Sequence, residues 1–378
     1  MICDYMDSCG GCSLRYLDKK DYQNTKCQKV LDILKNLQTS DFLFAEPIFV
    51  EDGHRRRASL AFSYQKRKLA LGFNRRKSTE IIDIASCCLL SPKLNAVLPS
   101  LRALLNDLCS IKIPLLKKGR HVGNTNLNGG DLLVTEADNG IDVILEFNND
   151  INLDYRMTIF DFIQNNNDII RISHRHSTDD TSETLVEKAK PYINICGREV
   201  YIPAGTFLQA SKASEQVLIN TVIKYLGDST GRIADLFCGV GTFSYPLASE
   251  IKNKIVAIDS SKPLLDGFRK SVNKNMIPNI EIIEKNLFKY PLDEKELAEF
   301  DVILFDPPRA GAEAQVKKFA ATENSRLKKI IAVSCNPHSF VRDANILISA
   351  GYKLQEITLV DQFTYSNHSE LVALFTKM

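Results

Sequence analysis

Apolar, β-branched runs recur through the second half of the chain, and each is closed by a polar or glycine-rich break. Ile330-Ile331-Ala332-Val333 is preceded by Lys328 and Lys329 and stopped by Asn336-Pro337, which reads as a buried strand of a parallel sheet. Phe340 to Ala350 then reads as a helix closed by Gly351. The same strand-then-break pattern appears at Ile233 to Phe237, at Ile255 to Asp259, in a short run before Asn286 and at Val302 to Phe305. An apolar run at Leu371 to Phe375 reads as a final strand. Helical spacing marks Asp18 to Leu37, through Tyr22, Val30, Leu31, Ile33, Leu34 and Leu37, and further helices fall around Asn95 to Cys109 and Ser214 to Leu226. Period-two alternation in Ala58 to Tyr64 and Leu69 to Phe73 predicts paired strands around Gln65-Lys66-Arg67-Lys68. Asp131 to Phe147 reads as a second hairpin with a type I′ turn at Asp138-Asn139-Gly140. Asn148 to Asp168, rich in Asn and Asp, reads as loops and a short element. The β pattern yields to helix near Pro203-Ala204-Gly205, so two regions are expected, 1–205 and 206–378, with the helix at 18–37 able to pack on the second.

With 378 residues, 44% hydrophobic and 25% charged, the chain has the composition of a globular protein with more than one core. It holds no bilayer-length apolar run, and no basic-then-apolar leader at its start, so a cytoplasmic location is the expectation. A net charge of +2 offers no global attraction to nucleic acid, and any such attraction has to be local. Ten cysteines without a leader point to metal, catalysis or burial rather than to a disulfide framework.

The chemistry concentrates at strand ends. Cys335 follows a strand and precedes a helix N-terminus, the edge where open α/β sheets bind ligands. The positive helix end is expected to lower its thiol pKa. A buried structural thiol is the commoner fate of a lone cysteine, but Ser334-Cys335-Asn336-Pro337 is too polar a setting for packing alone, which favours a nucleophile. In Asp235-Leu236-Phe237-Cys238-Gly239-Val240-Gly241 a strand enters a Gly-x-Gly turn, where Gly239 and Gly241 let a nucleoside-like ligand approach the backbone. Asp259 ends the next strand and can bind two ribose hydroxyls, Asn286 is placed to meet an adenine edge, and Asp306-Pro307-Pro308-Arg309 ends a fourth strand. That order is the order of a class I S-adenosylmethionine-dependent methyltransferase, and the Asp-Pro-Pro strand argues against a nicotinamide dehydrogenase. A thiolate adding at C6 of a pyrimidine makes C5 nucleophilic, and a base then removes the C5 proton. Glu370, just before the last strand, is the candidate base, although an ordinary solvated carboxylate has the same spacing.

Cys3, Cys9 and Cys12 lie in Cys3-x5-Cys9-Gly10-Gly11-Cys12, where two glycines let the chain fold tightly enough for one centre. Cys87 and Cys88 are the candidates for a fourth thiolate. Three clustered cysteines and one remote one favour a [4Fe-4S] cluster over the paired knuckles of structural zinc. Cys27, Cys109 and Cys196 have no partner at ligand spacing and read as small buried residues. Arg55, Arg56, Arg57, Lys66, Arg67, Lys68, Arg75, Arg76 and Lys77, without an acid among residues 54–77, suit phosphate contacts with aromatic stacking between, more than a charge-guarded sheet edge.

These residues together resemble the RNA uracil-5 methyltransferase family, which makes 5-methyluridine in ribosomal and transfer RNA. The likeness covers nearly the whole chain. It runs through Cys3 to Cys12, Ile82-Asp83-Ile84-Ala85-Ser86-Cys87, Phe207-Leu208-Gln209 and Asp235 to Gly241. It continues through Asp306-Pro307-Pro308-Arg309-Ala310-Gly311, Ser334-Cys335-Asn336-Pro337 and His368-Ser369-Glu370. The resemblance implies an α/β fold, a Rossmann-like class I methyltransferase domain preceded by a smaller, β-rich iron–sulfur-binding domain. It implies a [4Fe-4S] cluster on Cys3, Cys9, Cys12 and Cys87, with Cys88 standing where the family often has proline. It implies S-adenosyl-L-methionine contacts from Gln209, Phe237, Thr242, Asp259, Asn286 and Asp306, with Cys335 as nucleophile and Glu370 as base. Asp259 stands where Glu is usual and Thr242 where Asn is common. Unlike some members, the sequence shows no separate RNA-binding β-barrel before Cys3, which shifts expected RNA recognition to the basic hairpin. Ribosomal RNA is the expected substrate, with the target uridine flipped from its stack. Transfer RNA is the runner-up, and no obligatory protein partner is evident. A cytosine-5 enzyme would use the same nucleophile, but the second cysteine such enzymes often carry is missing from Asp306-Pro307-Pro308-Arg309. A non-catalytic iron–sulfur RNA-binding protein would have no need of both Cys335 and Glu370.

Overall fold

The computed structural model describes residues 3–117, 120–179, 181–249, 252–322 and 326–377, with backbone alone for 114–122. The chain forms two compact units that interleave in sequence. The first unit holds Met1–Ser13, Glu51–Ile193 and Ile202–Ser211, and the second holds Leu14–Val50, Asn194–Tyr201 and Lys212–Met378. The sequence reading placed one boundary at 205. The structure instead gives residues 14–50 to the second unit, because the helix Lys19–Leu34 buries Val30 and Leu34 in that unit's core.

The second unit is built on a nine-stranded sheet. Its centre is Arg232–Leu236, flanked in parallel by Lys254–Asp259 on one side and Val302–Phe305 on the other. Ile280–Glu284 extends the first side and Lys329–Ser334 the second, both parallel. Glu370–Thr376 then inserts antiparallel between Lys329–Ser334 and Lys353–Asp361. Two short strands, Leu43–Phe44 and Ile48–Phe49, pair with Lys353–Asp361. The parallel strands are apolar on both faces, as a sheet covered by helices requires. The strand order reverses at Arg232–Leu236, so a crevice opens beyond the carboxyl ends of this strand and its neighbours.

The first unit is a seven-stranded, mainly antiparallel sheet with helices Pro92–Ser110 and Leu153–Gln164. Ala58, Leu60 and Phe62 alternate inward along Arg57–Gln65 and meet Leu101, Leu105 and Leu108 in one core. The helix Leu153–Gln164 falls where only loops and a short element were expected. Asn152 caps it through a 2.9 Å bond from the Tyr155 amide, so the Asn and Asp residues mark helix ends. The hairpin Gly129–Ala137 to Gly140–Glu146 forms, yet only Gly140 in that turn has a positive φ, of 151°. Consecutive positive φ values occur instead at Lys66 and Arg67, 49° and 62°, between Arg57–Gln65 and Lys68–Asn74, and at Cys196 and Gly197, 51° and 78°, between Tyr192–Ile195 and Arg198–Tyr201. At Lys66 and Arg67 a type I′-like turn is therefore made by two cations, at a cost of about 1–2 kcal/mol per non-glycine residue. Cys109 is buried, but Cys27 is half-buried and Cys196 lies exposed on a turn with φ 51°, so neither is the buried residue expected. Among the described residues no helix is long and apolar enough to cross a membrane.

Candidate functional site

Strand register gathers the second unit's chemistry. Asp306 follows Phe305, Cys335 follows Ser334, and Glu370 opens the antiparallel strand whose Leu371 faces Ser334. Three side chains far apart in sequence thus stand at neighbouring strand ends on one edge. Glu370 is 2% exposed, and its Oε2 accepts a 2.6 Å bond from Gln362 Nε2. The Gln362 Oε1 in turn accepts from Ser214 Oγ at 3.3 Å. Burial raises the Glu370 carboxyl well above the usual range, and the Asp306 charge raises it further. Burial likewise raises Asp306. Gln362 carries no motif, and nothing in the sequence singled it out.

Cys335 corrects one expectation. Its thiol is pushed up to about 11, first by burial and then by the Glu370 and Asp306 charges, against smaller lowering by its own backbone and by Arg309. The helix Pro337–Ser349 does begin beside it, but burial, with the two carboxyl charges added, raises the thiol all the same. The loop after Asp306 is clamped to that helix. Asn336 Nδ2 and Ser339 Oγ donate to the Arg309 carbonyl at 3.0 and 3.1 Å, and the Ala312 amide donates to Asp343 at 2.8 Å. Arg309 Nη2 and His368 Nδ1 lie 2.8 Å apart, joining this loop to the segment that carries Glu370.

At the centre of the crevice Phe237, Gly239 and Gly241 take left-handed φ values of 61°, 56° and 89°. The two glycines differ in surroundings. A Cβ on Gly241 would meet the Phe268 ring at 2.3 Å, whereas one on Gly239 would meet nothing within 4 Å. Gly239 thus leaves open the space that a ligand's approach to the backbone requires. Asp259 bridges the turn, accepting from the Gly239 amide at 3.0 Å and the Ser261 amide at 2.9 Å. Both oxygens are partly engaged, and each keeps a lone pair for a ligand hydroxyl. Asn286 uses Oδ1 to cap its own turn, accepting from the Phe288 and Lys289 amides at 3.1 Å. Phe288, half exposed, sets its ring 5.3 Å from Phe237. Thr242 is half-buried in the turn. Below it Asp235 is fully buried, with Oδ2 bonded by Ser244 Oγ at 2.5 Å, and burial pushes its carboxyl up to about 7. An open glycine, a carboxylate and an aromatic pair are the donor set an adenosyl ligand needs, and the site residues of this unit fit one.

The other predicted residues lie in the first unit. Gln209 is buried there, with its carbonyl held by Arg56 Nε at 3.0 Å. Cys3, Cys9, Cys12 and Cys87 also fall in this unit. Burial raises the Cys9 thiol, and Cys3 and Cys88 lie close enough for their charges to raise it further. Cys87 is lowered, chiefly by a hydrogen bond from Cys88, with Cys12 in electrostatic reach. Among the described residues no three or more His, Cys, Asp or Glu side chains form a group that could hold a metal ion. The backbone around the thiols is tightly held. Arg76 donates to the carbonyls of Cys9, Met6 and Cys12 at 3.2, 3.2 and 2.8 Å, and the Gly10 amide donates to Asn74 at 2.9 Å. Asn95 clamps the Cys87 peptide from both sides, at 2.8 and 3.0 Å. Neither Asn95 nor this use of Arg76 was legible in the sequence.

These bonds also redraw the basic hairpin. Arg56 is 2% exposed, Arg75 pairs with Glu80 at 2.7 Å, and Arg76 serves the cysteine segment. Phe62 is core, and Tyr64 and Phe73, partly buried, pack against the same core. Lys66, Arg67, Lys68 and Lys77 are exposed.

The profile of the family described as tRNA (Uracil-5-)-methyltransferase matches residues 186–378. The chain is 33% identical over 379 residues to an RNA methyltransferase of Brucella melitensis biotype 1, covering 99% of this chain and 84% of that protein. It is 29% identical over 384 residues to the 23S rRNA (uracil(1939)-C(5))-methyltransferase of Aliivibrio salmonicida, covering 100% and 82%. The fold is similar to that of the Pyrococcus abyssi tRNA (uracil-54, C5)-methyltransferase solved with S-adenosyl-L-homocysteine. That match has a TM-score of 0.71 at 23% identity and covers 97% of this chain and 86% of that one.

Proposed function

The chain belongs to the RNA uracil-5 methyltransferase family, whose methyl donor is S-adenosylmethionine, and from that premise we propose that it methylates C5 of a uridine in 23S ribosomal RNA. Relatives named for 23S rRNA that match the chain end to end support the ribosomal substrate. The family description, which names tRNA, supports transfer RNA as the second reading.

The observation that carries the chemistry is the convergence of Cys335, Asp306 and Glu370 at adjacent strand ends. Cys335 Sγ adds to C6 of the flipped uridine, and the electron pair moves onto the C4 carbonyl as an enolate. Bound S-adenosylmethionine supplies the sulfonium-activated methyl group that C5 takes. Glu370 then removes the C5 proton, the C6–Sγ bond breaks, and the C5–C6 double bond re-forms. Burial suits Glu370 to this task, because a raised carboxylate is a stronger base. Phe237, Gly239, Gly241, Thr242, Asp259, Asn286 and Asp306 would hold the donor.

Cys3, Cys9, Cys12 and Cys87 would hold a [4Fe-4S] cluster. Each thiolate of such a cluster binds its own iron, so the ligands need not converge on the single point an isolated ion requires. Cys9 within electrostatic reach of Cys3 and Cys88, Cys87 within reach of Cys12, and the clamped backbone around them support that donor set. When bound, the cluster would cross-link the N-terminal segment to the Cys87 turn.

Methylation of unmodified 23S rRNA and of tRNA, assayed separately and followed by nucleoside analysis, tests the substrate. 5-Methyluridine in the ribosomal RNA alone is expected, and 5-methyluridine in tRNA alone would reverse the assignment. Protein purified without oxygen is expected to be brown, with iron and sulfide. Colourless protein with stoichiometric zinc would overturn the cluster.

A further inference from the structure

Glu370 is reached from Lys353–Asp361 by a short crossing segment, and the second unit's N-terminal helix grips that segment at several points. Lys26 Nζ bonds Asp361 Oδ1 and donates to the Phe363 carbonyl at 3.2 Å. Tyr22 donates its hydroxyl to Asp361 Oδ2, and Lys26 lies 3.3 Å from that hydroxyl. Asp361 and Phe363 are the two neighbours of Gln362, whose amide holds Glu370. Further along, Tyr365 stacks on Tyr22 with ring centroids 4.3 Å apart, and Arg15 lies over the Tyr365 ring at 4.3 Å. The Leu14 amide donates to the Tyr365 carbonyl at 2.9 Å. Tyr365 itself sits at φ 56°, a left-handed turn held by these contacts.

Lys26, Tyr22 and Asp361 are 2%, 3% and 0% exposed. A buried ion pair is an indifferent way to gain stability, since apolar residues of similar volume often do as well or better. What it supplies is a fixed direction: both oxygens of Asp361 and the next carbonyl but one are specified. The residue specified between them is Gln362.

We propose that Lys26 and Tyr22 are positioning residues for proton removal, holding Asp361 and Phe363 so that Gln362 aims the Glu370 carboxylate at C5. The inference rests on Glu370 being the base. It assigns the helix Lys19–Leu34 a role in one step, the last. There the C5 proton passes to the Glu370 carboxylate, the electrons of the C5–H bond re-form the C5–C6 double bond, and the C6–Sγ pair returns to Cys335 as thiolate. Methyl transfer to C5 precedes that step and does not need Glu370 aimed.

The test is a single turnover with unmodified RNA and methyl-labelled S-adenosylmethionine. Label in the detergent-stable protein–RNA adduct is separated from label in free RNA. Tyr22→Phe keeps the ring stack and loses the hydroxyl that donates to Asp361 and accepts from Lys26; Lys26→Met takes the buried cation from Asp361. Because Lys26→Met can lower the folded yield, all rates are normalised to the folded fraction, and Tyr22→Phe carries the test if that yield is poor. Lys35→Met, an exposed change just beyond the same helix, is the control. Methyl transfer is expected to stay within about twofold, while adduct breakdown slows about tenfold in Tyr22→Phe and about a hundredfold in Lys26→Met, as misplacement of a reacting group allows. Glu370→Gln, run alongside, is expected to trap the adduct. If it does and the other two variants do not, or if their two steps fall in equal proportion, the positioning role is wrong while the base stands. If Glu370→Gln traps nothing, the base assignment fails and the positioning role fails with it.

Discussion

The two units place their chemistry by different means. In the second unit position follows from sheet register: Asp306, Cys335 and Glu370 each adjoin a strand end, and the strand order brings those ends together. In the first unit no such frame exists for the cysteines. Cys3, Cys9 and Cys12 sit on a segment without regular secondary structure, and their place is set by Arg76, Gly10 and Tyr5, whose hydroxyl accepts the Ala85 amide at 2.8 Å, while Asn95 holds the Cys87 turn. A site set by register tolerates loss of one side chain without moving the others. A site set by scattered hydrogen bonds does not.

The comparison is broken most sharply at Cys335. Cys335→Ala is expected to lower methylation by more than about 10^4-fold with no change in melting temperature beyond a degree or two. Loss of folding on that change would show that the thiol also holds the sheet edge. Glu370→Gln is expected to slow turnover by about 10²–10⁴-fold and to leave an adduct with RNA.

In the first unit Arg76→Gln removes three carbonyl contacts at once. It is expected to cut iron retention several-fold on repeated desalting, far more than an exposed arginine would. Unchanged iron would mean that the cysteine segment holds itself.

The glycine pair gives a smaller, sharper contrast. Gly241→Ala drives a Cβ into Phe268 at left-handed φ and should cost about 2–4 kcal/mol of stability. Gly239→Ala meets no protein atom, so it should cost only about 1–2 kcal/mol of stability. It should instead weaken S-adenosylmethionine binding, read by titration calorimetry. Equal effects of the two changes on binding would contradict an open ligand face at Gly239.

Titration separates the Cys335 environment from its burial. The negative charge of Glu370 disfavours thiolate and so raises the thiol. Removing it in Glu370→Gln should move the pH profile of Cys335 alkylation to lower pH, though not to an ordinary cysteine's, because burial is the larger cause. An unchanged profile would show that the carboxyl is neutral beside the thiol.

The smallest effect concerns the hairpin tip. Lys66→Asn with Arg67→Gly suits the turn's positive φ and should hold or raise stability. It should also make the salt dependence of RNA binding shallower by about two in log–log slope. An unchanged slope would place the RNA elsewhere.

How much was legible in the sequence follows the same division. The strand runs, the Gly-x-Gly turn and the residues beyond each strand are local patterns, and Asp306, Cys335 and Glu370 stand beside the strand ends that those patterns mark. The thiol's pKa was not local: it depends first on burial and then on two carboxyls, both of which arrive through tertiary packing, so the helix-end argument gave the wrong direction. In the first unit arginine was read as charge for RNA, whereas Arg56 and Arg76 serve the fold, because partner carbonyls are invisible in a sequence. Gln362 and Asn95 had no pattern at all. The single boundary at 205 differs from the interleaved units, although the helix at 18–37 reads from sequence as able to pack on the second region, whose core it joins.

The central claim is that Cys335 attacks C6 and Glu370 releases the product. The direct measurement is incubation of the cluster-loaded enzyme with methyl-labelled S-adenosylmethionine and unmodified 23S rRNA, beside Cys335→Ala and Glu370→Gln. Nucleoside analysis and denaturing gels of each reaction follow. 5-Methyluridine is expected from the unaltered protein, neither product nor adduct from Cys335→Ala, and a labelled protein–RNA adduct from Glu370→Gln. 5-Methyluridine formed by Cys335→Ala would contradict it.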